Sequence, residues 1–186
     1  MSCGALLELK SVACVRGGRL LFEGLDLTLA PGGAALVKGP NGAGKSSLLR
    51  LAAGLLRAAA GEVVRAPGPI GFADENLALD PRLTLGRALA FWERDAQAGL
   101  DAMGLVRLRE VPVRMLSTGQ RKRAALARVV AGGSRLWLID EPANGLDAEG
   151  RDRLAAAMAR HRGTGGAILA ASHQPLGLDG AVTVTL

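Results

Sequence analysis

Between Ala34 and Leu56 the chain has few conformational options. Ala34-Ala35-Leu36-Val37 is a short, wholly apolar run, the length of a buried strand. It leads without a linker into Gly39-Pro40-Asn41-Gly42-Ala43-Gly44-Lys45-Ser46. From Ser47 onward, Leu48, Leu49, Leu51, Leu55 and Leu56 fall at helical spacing. The order is strand, glycine loop, helix. Glycines let successive backbone N–H groups curl inward around an anion, and a helix starting near Lys45 adds its positive end to the same point. Gly-x-x-x-x-Gly-Lys-Ser is the complete phosphate-loop pattern. It predicts that residues Gly39, Pro40, Asn41, Gly42, Ala43, Gly44, Lys45, Ser46 and Ser47 hold a nucleoside triphosphate. Lys45 would reach the β and γ phosphates, and the Ser46 hydroxyl would help hold Mg²⁺.

The rest of the chain alternates strands and helices around this unit. Leu6 to Val15 and Leu25 to Leu29 read as half-buried strands, with a turn at Gly17-Gly18 between them. From Asn76 to Val130 the pattern is mainly helical, with breaks expected at Pro81, Gly99, Gly104 and Pro112. A second buried strand, Leu136 to Ile139, precedes a helix from about Ala148 to Arg160. Gly166 to Ala171 is a third apolar strand, and Val182 to Leu186 a closing one. This predicts an α/β fold in one domain. Its nucleotide-binding core would span 1–75 and 133–186, with a helical subdomain over 76–132 inserted between the phosphate loop and the second buried strand.

Composition excludes some classes. With 49% hydrophobic and 22% charged residues the chain is globular rather than disordered. No apolar run reaches the roughly 18 to 20 residues of a membrane span, and the opening MSCGALLELK does not read as a secretory signal. The net charge of +6 is spread along the chain, with short clusters at Arg107–Arg109, Arg121–Arg123 and Arg151–Arg153. Those read as solvated helix faces rather than a nucleic-acid stripe, so no nucleic acid partner is expected. Cys3 and Cys14 have no metal spacing and read as reduced thiols.

Two further features point to phosphoryl chemistry. Asp140 and Glu141 end the strand Leu136 to Ile139 at its C-terminal side, where ligands sit in an open α/β sheet. Neighbouring strand residues point to opposite faces, which predicts separate roles. Asp140 suits Mg²⁺ coordination through water, and Glu141 suits polarising the attacking water. His173 ends the third strand and would emerge on the same sheet edge, within reach of the γ-phosphate. The other histidine, His161, reads as a surface residue near a helix terminus without a function.

Leu116-Ser117-Thr118-Gly119-Gln120 resembles the LSGGQ signature of ABC ATPases, with Thr118 in place of one glycine. The order of phosphate loop, signature, two-acid strand, Asn144-Gly145-Leu146-Asp147 and Ser172-His173 matches that family throughout, and the resemblance runs from Leu6 to Leu186. It implies an ABC-type P-loop core that uses ATP and Mg²⁺, with Glu141, His173 and Lys45 as the catalytic set. It also implies that Ser117, Gly119 and Gln120 face the γ-phosphate held by a second copy, in a head-to-tail homodimer enclosing two ATP molecules. Asn144 to Asp147 would bridge the two sites. There are two departures. The position that usually stacks an aromatic ring on adenine falls near Arg16, and the chain has no Tyr; the planar Arg16 guanidinium is the candidate stacker. The usual Q-loop glutamine would fall near Ala73-Asp74-Glu75 and is missing, which leaves Asp74 or Glu75 as the candidate substitute.

Within ABC proteins, Cys14 to Leu27, the run Leu48 to Leu55, Ala78 to Thr84, Ala88 to Trp92 and Ser172 to Leu176 look like the ATP-binding export proteins of cytochrome c biogenesis (CcmA type). That resemblance implies an ATPase for the haem-export or haem-handling step of cytochrome c maturation. Its partner would be a transmembrane permease subunit of CcmB type, and the chain would sit peripherally at the cytoplasmic face of the bacterial inner membrane. The alternatives are the ATPase of another ABC exporter and a soluble DNA- or ribosome-associated ABC ATPase. The second usually carries a coiled coil, zinc module or second ATPase copy, for which 186 residues leave no space. A P-loop kinase would leave Leu116 to Gln120 and His173 without jobs. The docking surface is expected over Leu77 to Trp92, with one of Phe91 and Trp92 packed in the core. Replacing Lys45 with Ala is expected to abolish ATP binding by calorimetry; retained affinity would remove the phosphate-loop assignment.

Overall fold

The computed structural model describes residues 4–92 and 96–186, so Cys3 lies outside the described residues. Two sheets organise it. The strands β1 (Leu7–Arg16), β2 (Arg19–Leu29) and β4 (Ala60–Arg65) form an antiparallel sheet in the order β2-β1-β4. The strands β3 (Ala34–Lys38), β5 (Ile70–Ala73), β6 (Leu136–Asp140), β7 (Ala167–Ala171) and β8 (Val182–Thr185) form a parallel sheet in the order β5-β6-β7-β3-β8. The helices are α1 (Lys45–Ala53), α2 (Leu85–Ala90), α3 (Ala96–Ala102), α4 (Thr118–Ala131) and α5 (Ala148–Gly163).

The apolar runs are continuous because the parallel sheet is buried on both faces. In β6, Leu136 and Leu138 join a core shared with α1 and the antiparallel sheet, whereas Trp137 and Ile139 join a core shared with α2 to α5. In β7, Ala167, Leu169 and Ala171 face the first of these cores, and Ile168 and Ala170 the second. The period of two thus separates two cores along uniformly apolar strands. Cys14 is a buried free thiol in the first core.

Sequence patterning missed two strands. β4 is an edge strand whose residues are exposed or half-buried, so it carries no apolar signal. β5 is four residues long and contains Gly71, where an added Cβ would lie 2.6 Å from Ser134 Oγ and 2.9 Å from Val129 Cγ1. Its glycine serves close packing rather than a turn.

Gly99 corrects the reading of the middle region. It sits inside α3 rather than breaking it, on the buried face with Ala96 and Leu100. A Cβ there would run into the Ala127 carbonyl oxygen, so the two helix backbones approach closely at that residue. Gly104, with φ of 66°, does end the helical segment.

Two side-chain placements also differ from expectation. Neither Phe91 nor Trp92 is in the core: they are 78% and 46% exposed, and their rings meet edge to face at 5.4 Å. The inward stripe of α2 is Leu85, Ala88 and Leu89, and the helix ends before the aromatic pair. His161 is half-buried rather than a surface residue, and stacks flat on Trp137 with ring centres 3.9 Å apart. α5 runs to Gly163, past the predicted end, and the missing side chain of Gly166 leaves space for the imidazole. Burial pushes His161 below the usual imidazole range, while the backbone at Ala167 and Arg135 pulls the other way.

Among the described residues no helix is long and apolar enough to cross a membrane. The Gly99 contact yields a test. Alanine in a helix interior gains about 0.5–1 kcal/mol over glycine, but overpacking a closed contact costs about 1–3 kcal/mol. Gly99→Ala is therefore expected to lower the urea unfolding free energy by about 1 kcal/mol; a more stable variant would mean that α3 and α4 do not close on that residue.

Candidate nucleotide site

The phosphate loop joins the C-terminal end of β3 to the first turn of α1. Gly39, Gly42 and Gly44 have φ of 149°, 83° and 110°. Two of them are also sterically required. A Cβ on Gly39 would lie 2.7 Å from the Leu186 carbonyl oxygen, and one on Gly44 would lie 3.1 Å from the Phe22 ring. Lys45 is 8% exposed, and its Nζ donates to the carbonyls of Gly39 at 2.9 Å and Pro40 at 3.1 Å. Gly44 precedes α1 without a side-chain cap, so no side chain competes with a ligand for the first N–H groups of the helix.

A cleft of about 380 Å³ opens over this loop, lined by Asn41, Gly42, Gly44, Lys45, Ser46, Ser47, Asp140 and Glu141. Arg16 reaches its rim from the end of β1, where it pairs with Arg19 across the hairpin. A second, larger cleft of about 660 Å³ adjoins it. Ser46, Arg50, Asp140 and Glu141 line both. The far wall of the larger cleft is α4, through Thr118, Arg121 and Lys122, and its floor includes Asp74 and Glu75.

The two strand-end acids do not part to opposite faces. Asp140 is the last residue of β6, and Glu141 leaves the pleat with a φ of +43°. That turn brings both carboxylates into the same clefts. A left-handed backbone at a non-glycine residue is strained. It is held here by the Glu141 N–H donating to the Ala171 carbonyl at 2.8 Å and by Asn144 N–H donating to the Glu141 carbonyl at 3.2 Å. His173 follows β7 on the same edge. Its Nε2 lies 3.5 Å from Glu141 Oε1, and its backbone N–H donates to Glu141 Oε2 at 3.4 Å. Gln174 Nε2 donates to Asn144 Oδ1 at 3.2 Å, tying the loop after β7 to the loop after β6.

The sequence profile of the ABC transporter family matches residues 22–144. The cytochrome c biogenesis ATP-binding export protein CcmA of Sphingopyxis alaskensis is 58% identical, over 93% of this chain and 92% of that protein. The protein of the same name from Novosphingobium aromaticivorans is 51% identical over 99% and 96%. The chain belongs to the CcmA family of ABC transporter ATP-binding proteins. Its fold also superposes on a solved ATP-binding subunit of an ABC transporter with a TM-score of 0.84 at 22% identity, covering 97% of this chain and 85% of that one. As an ABC ATPase it binds ATP, and it couples ATP hydrolysis to transport in a complex with a membrane component.

Ser117, Gly119 and Gln120, the candidate signature residues, stand at the start of α4, whose Thr118 lines the larger cleft together with Ser46 of the phosphate loop. Ser117 caps α4, its Oγ accepting from Gln120 N–H at 3.2 Å while Gln120 Oε1 accepts from Ser117 N–H at 2.9 Å. This reciprocal capping box fixes the first turn of α4. Gly119 allows close passage of the Gly145 carbonyl, 3.2 Å from where a Cβ would stand.

Sequence reasoning missed three cations. Arg50 lies one helical turn after Ser46 and ion-pairs with Asp74 at 3.3 Å; the i, i+4 spacing was a usable signal. Arg121 and Lys122 line the larger cleft from α4. Burial pushes Lys122 below the usual lysine range, opposed by Asp140, Asp74, Glu141 and Glu75. Which face of α4 meets those acids depends on packing, so no local signal marks Lys122.

Proposed function

We propose that this chain supplies ATP hydrolysis to the haem-handling step of cytochrome c maturation. In this reading it works as a homodimer beneath a CcmB-type permease, at the cytoplasmic face of the inner membrane. The observation that carries it is 58% identity across nearly the whole length of a cytochrome c biogenesis ATP-binding export protein.

The chemistry follows from the clefts. The N–H groups of Asn41 to Ser47 cradle the phosphates, and Lys45 exchanges its Gly39 and Pro40 carbonyls for β and γ phosphate oxygens. Arg16 stacks on the adenine from the rim. Mg²⁺ would offset charge on the β and γ phosphates, held by the Ser46 hydroxyl and by Asp140 through water. Both residues line the phosphate-loop cleft. Glu141 orients the attacking water and accepts its proton, with His173 beside it to hydrogen-bond the γ-phosphate. The capped start of α4, with Ser117, Gly119 and Gln120, supplies the second copy's γ-phosphate with an anion site. The core over 1–75 and 133–186 holds the nucleotide, and the helical subdomain over 76–132 carries the signature. The exposed Phe91 and Trp92 fill a groove of the membrane subunit.

Glu141→Gln should reduce turnover by about 10²- to 10⁴-fold, the range of a general base, and accumulate an ATP-bound dimer by light scattering. A variant that stays monomeric at saturating ATP would remove the shared-site reading. Replacing Phe91 and Trp92 with Ala is expected to lower recovery of the chain on membranes containing the permease, with an unchanged circular dichroism spectrum. Deleting the gene and staining c-type cytochromes for covalent haem tests the pathway; normal maturation would leave only the general ABC function.

A further inference from the structure

Among the described residues, Arg128 contacts both Phe72 and Trp92, and none of the family motifs uses either contact. It stands on α4, and its Nη2 donates to the Phe72 carbonyl of β5 at 2.5 Å. Its Cζ lies 4.9 Å from the centre of the Trp92 ring. Trp92 in turn donates from Nε1 to the Ala78 carbonyl at 3.0 Å. The ring is therefore held at its edge by backbone and on its face by a cation. Phe91 beside it projects into solvent. A clamp on a half-exposed ring adds little to core burial. Only a planar guanidinium serves both contacts together, because a lysine ammonium cannot stack flat and donate sideways at once.

The other end of the connection reaches the nucleotide cleft. Two residues after Phe72, the Asp74 carboxylate ion-pairs with Arg50 at 3.3 Å. Its other oxygen accepts from Asn76 N–H at 2.9 Å, fixing the turn that follows β5. Arg50 lines both clefts together with Ser46 and Glu141. A phosphate arriving beside Ser46 competes with Asp74 for that guanidinium. Loosening the pair would release one of the restraints at the end of β5, beside the Phe72 carbonyl that Arg128 grips.

We propose that Arg128 is a positioning residue that couples the Phe91–Trp92 surface to the nucleotide cleft, through β5 and the Asp74–Arg50 ion pair. This takes over at the position where the Q-loop glutamine is missing, and it rests on the ATP-binding reading above. Coupling of this kind is reciprocal: a partner that moves Trp92 alters nucleotide affinity by the same factor as nucleotide alters the partner's.

The isolated chain can be tested without the partner. Labelled with 5-fluorotryptophan, it gives two ¹⁹F resonances, since it has two Trp, and Trp92→Phe assigns them. Adding Mg²⁺ with a non-hydrolysable ATP analogue should shift the Trp92 resonance with the midpoint found by calorimetry. In Arg128→Gln the analogue should bind within about twofold of the parent affinity, while the Trp92 shift disappears. Arg128→Lys, which keeps the charge and loses the fork, should not restore it. Asp74→Asn should also remove the shift at saturating analogue, testing the connection from its other end should the Arg128 variants fail to fold. A Trp92 resonance that ignores bound analogue in the parent chain, or that shifts fully in Arg128→Gln, would overturn the proposal. Failure of the analogue to bind at all would instead overturn the nucleotide reading, and this inference with it.

Discussion

Lys45 is a charged group that the fold keeps almost entirely from water, and the architecture around it is what makes this tolerable. A buried ammonium needs oxygen partners, and here it has two, both from glycine-loop backbone. Those carbonyls can turn inward only because the loop takes backbone angles open to glycine, and because Phe22 and Leu186 close on it where a side chain would otherwise stand. The antiparallel sheet supplies Phe22 from β2 and the segment after β8 supplies Leu186, so stretches far apart in sequence converge on one loop.

The same economy governs the acids. Asp140 and Glu141 share a cleft because the backbone turns sharply between them, and the strain at Glu141 is held by bonds to Ala171 and Asn144. Bringing carboxylates from β5 and β6 into one cleft raises a repulsion that the neighbouring cations offset. Arg50 meets Asp74 directly, and Lys122 faces the group from α4. Lys122 loses hydration there and regains part of it as attraction to four carboxylates. The wall of this cleft is therefore electrostatic, and an arriving triphosphate changes its balance.

The helical wall has its own construction. α4 is anchored at its start by the Ser117–Gln120 capping box and along its length by the closed contact with Gly99 of α3. Its inner face carries the cleft cations, and Arg128 further along grips β5. One helix thus presents the signature, lines the nucleotide cleft and reaches the exposed aromatic pair. A movement of α4 against the sheet would register at all three.

The local motifs were legible because each is a property of adjacent residues. Gly39 to Ser46 dictates a phosphate cradle, and the apolar runs of β3, β6 and β7 dictate buried strands with functional groups at their C-terminal ends. Leu116 to Gln120 carried the family. Packing decided what those runs could not. β4 escaped notice because an edge strand has no buried face, and Gly99 looked like a helix break because glycine marks a break and a close helix crossing in the same way. His161 looked like a surface residue until Gly166, five positions on, proved to give it space over Trp137. The sequence by itself determined that this chain binds a nucleoside triphosphate, since a phosphate loop is built from consecutive backbone N–H groups. The tertiary structure alone decided that Arg50 meets Asp74, that Lys122 faces the acids and that Arg128 bridges Phe72 to Trp92, because those contacts join residues distant in the chain and depend on how a helix face is turned.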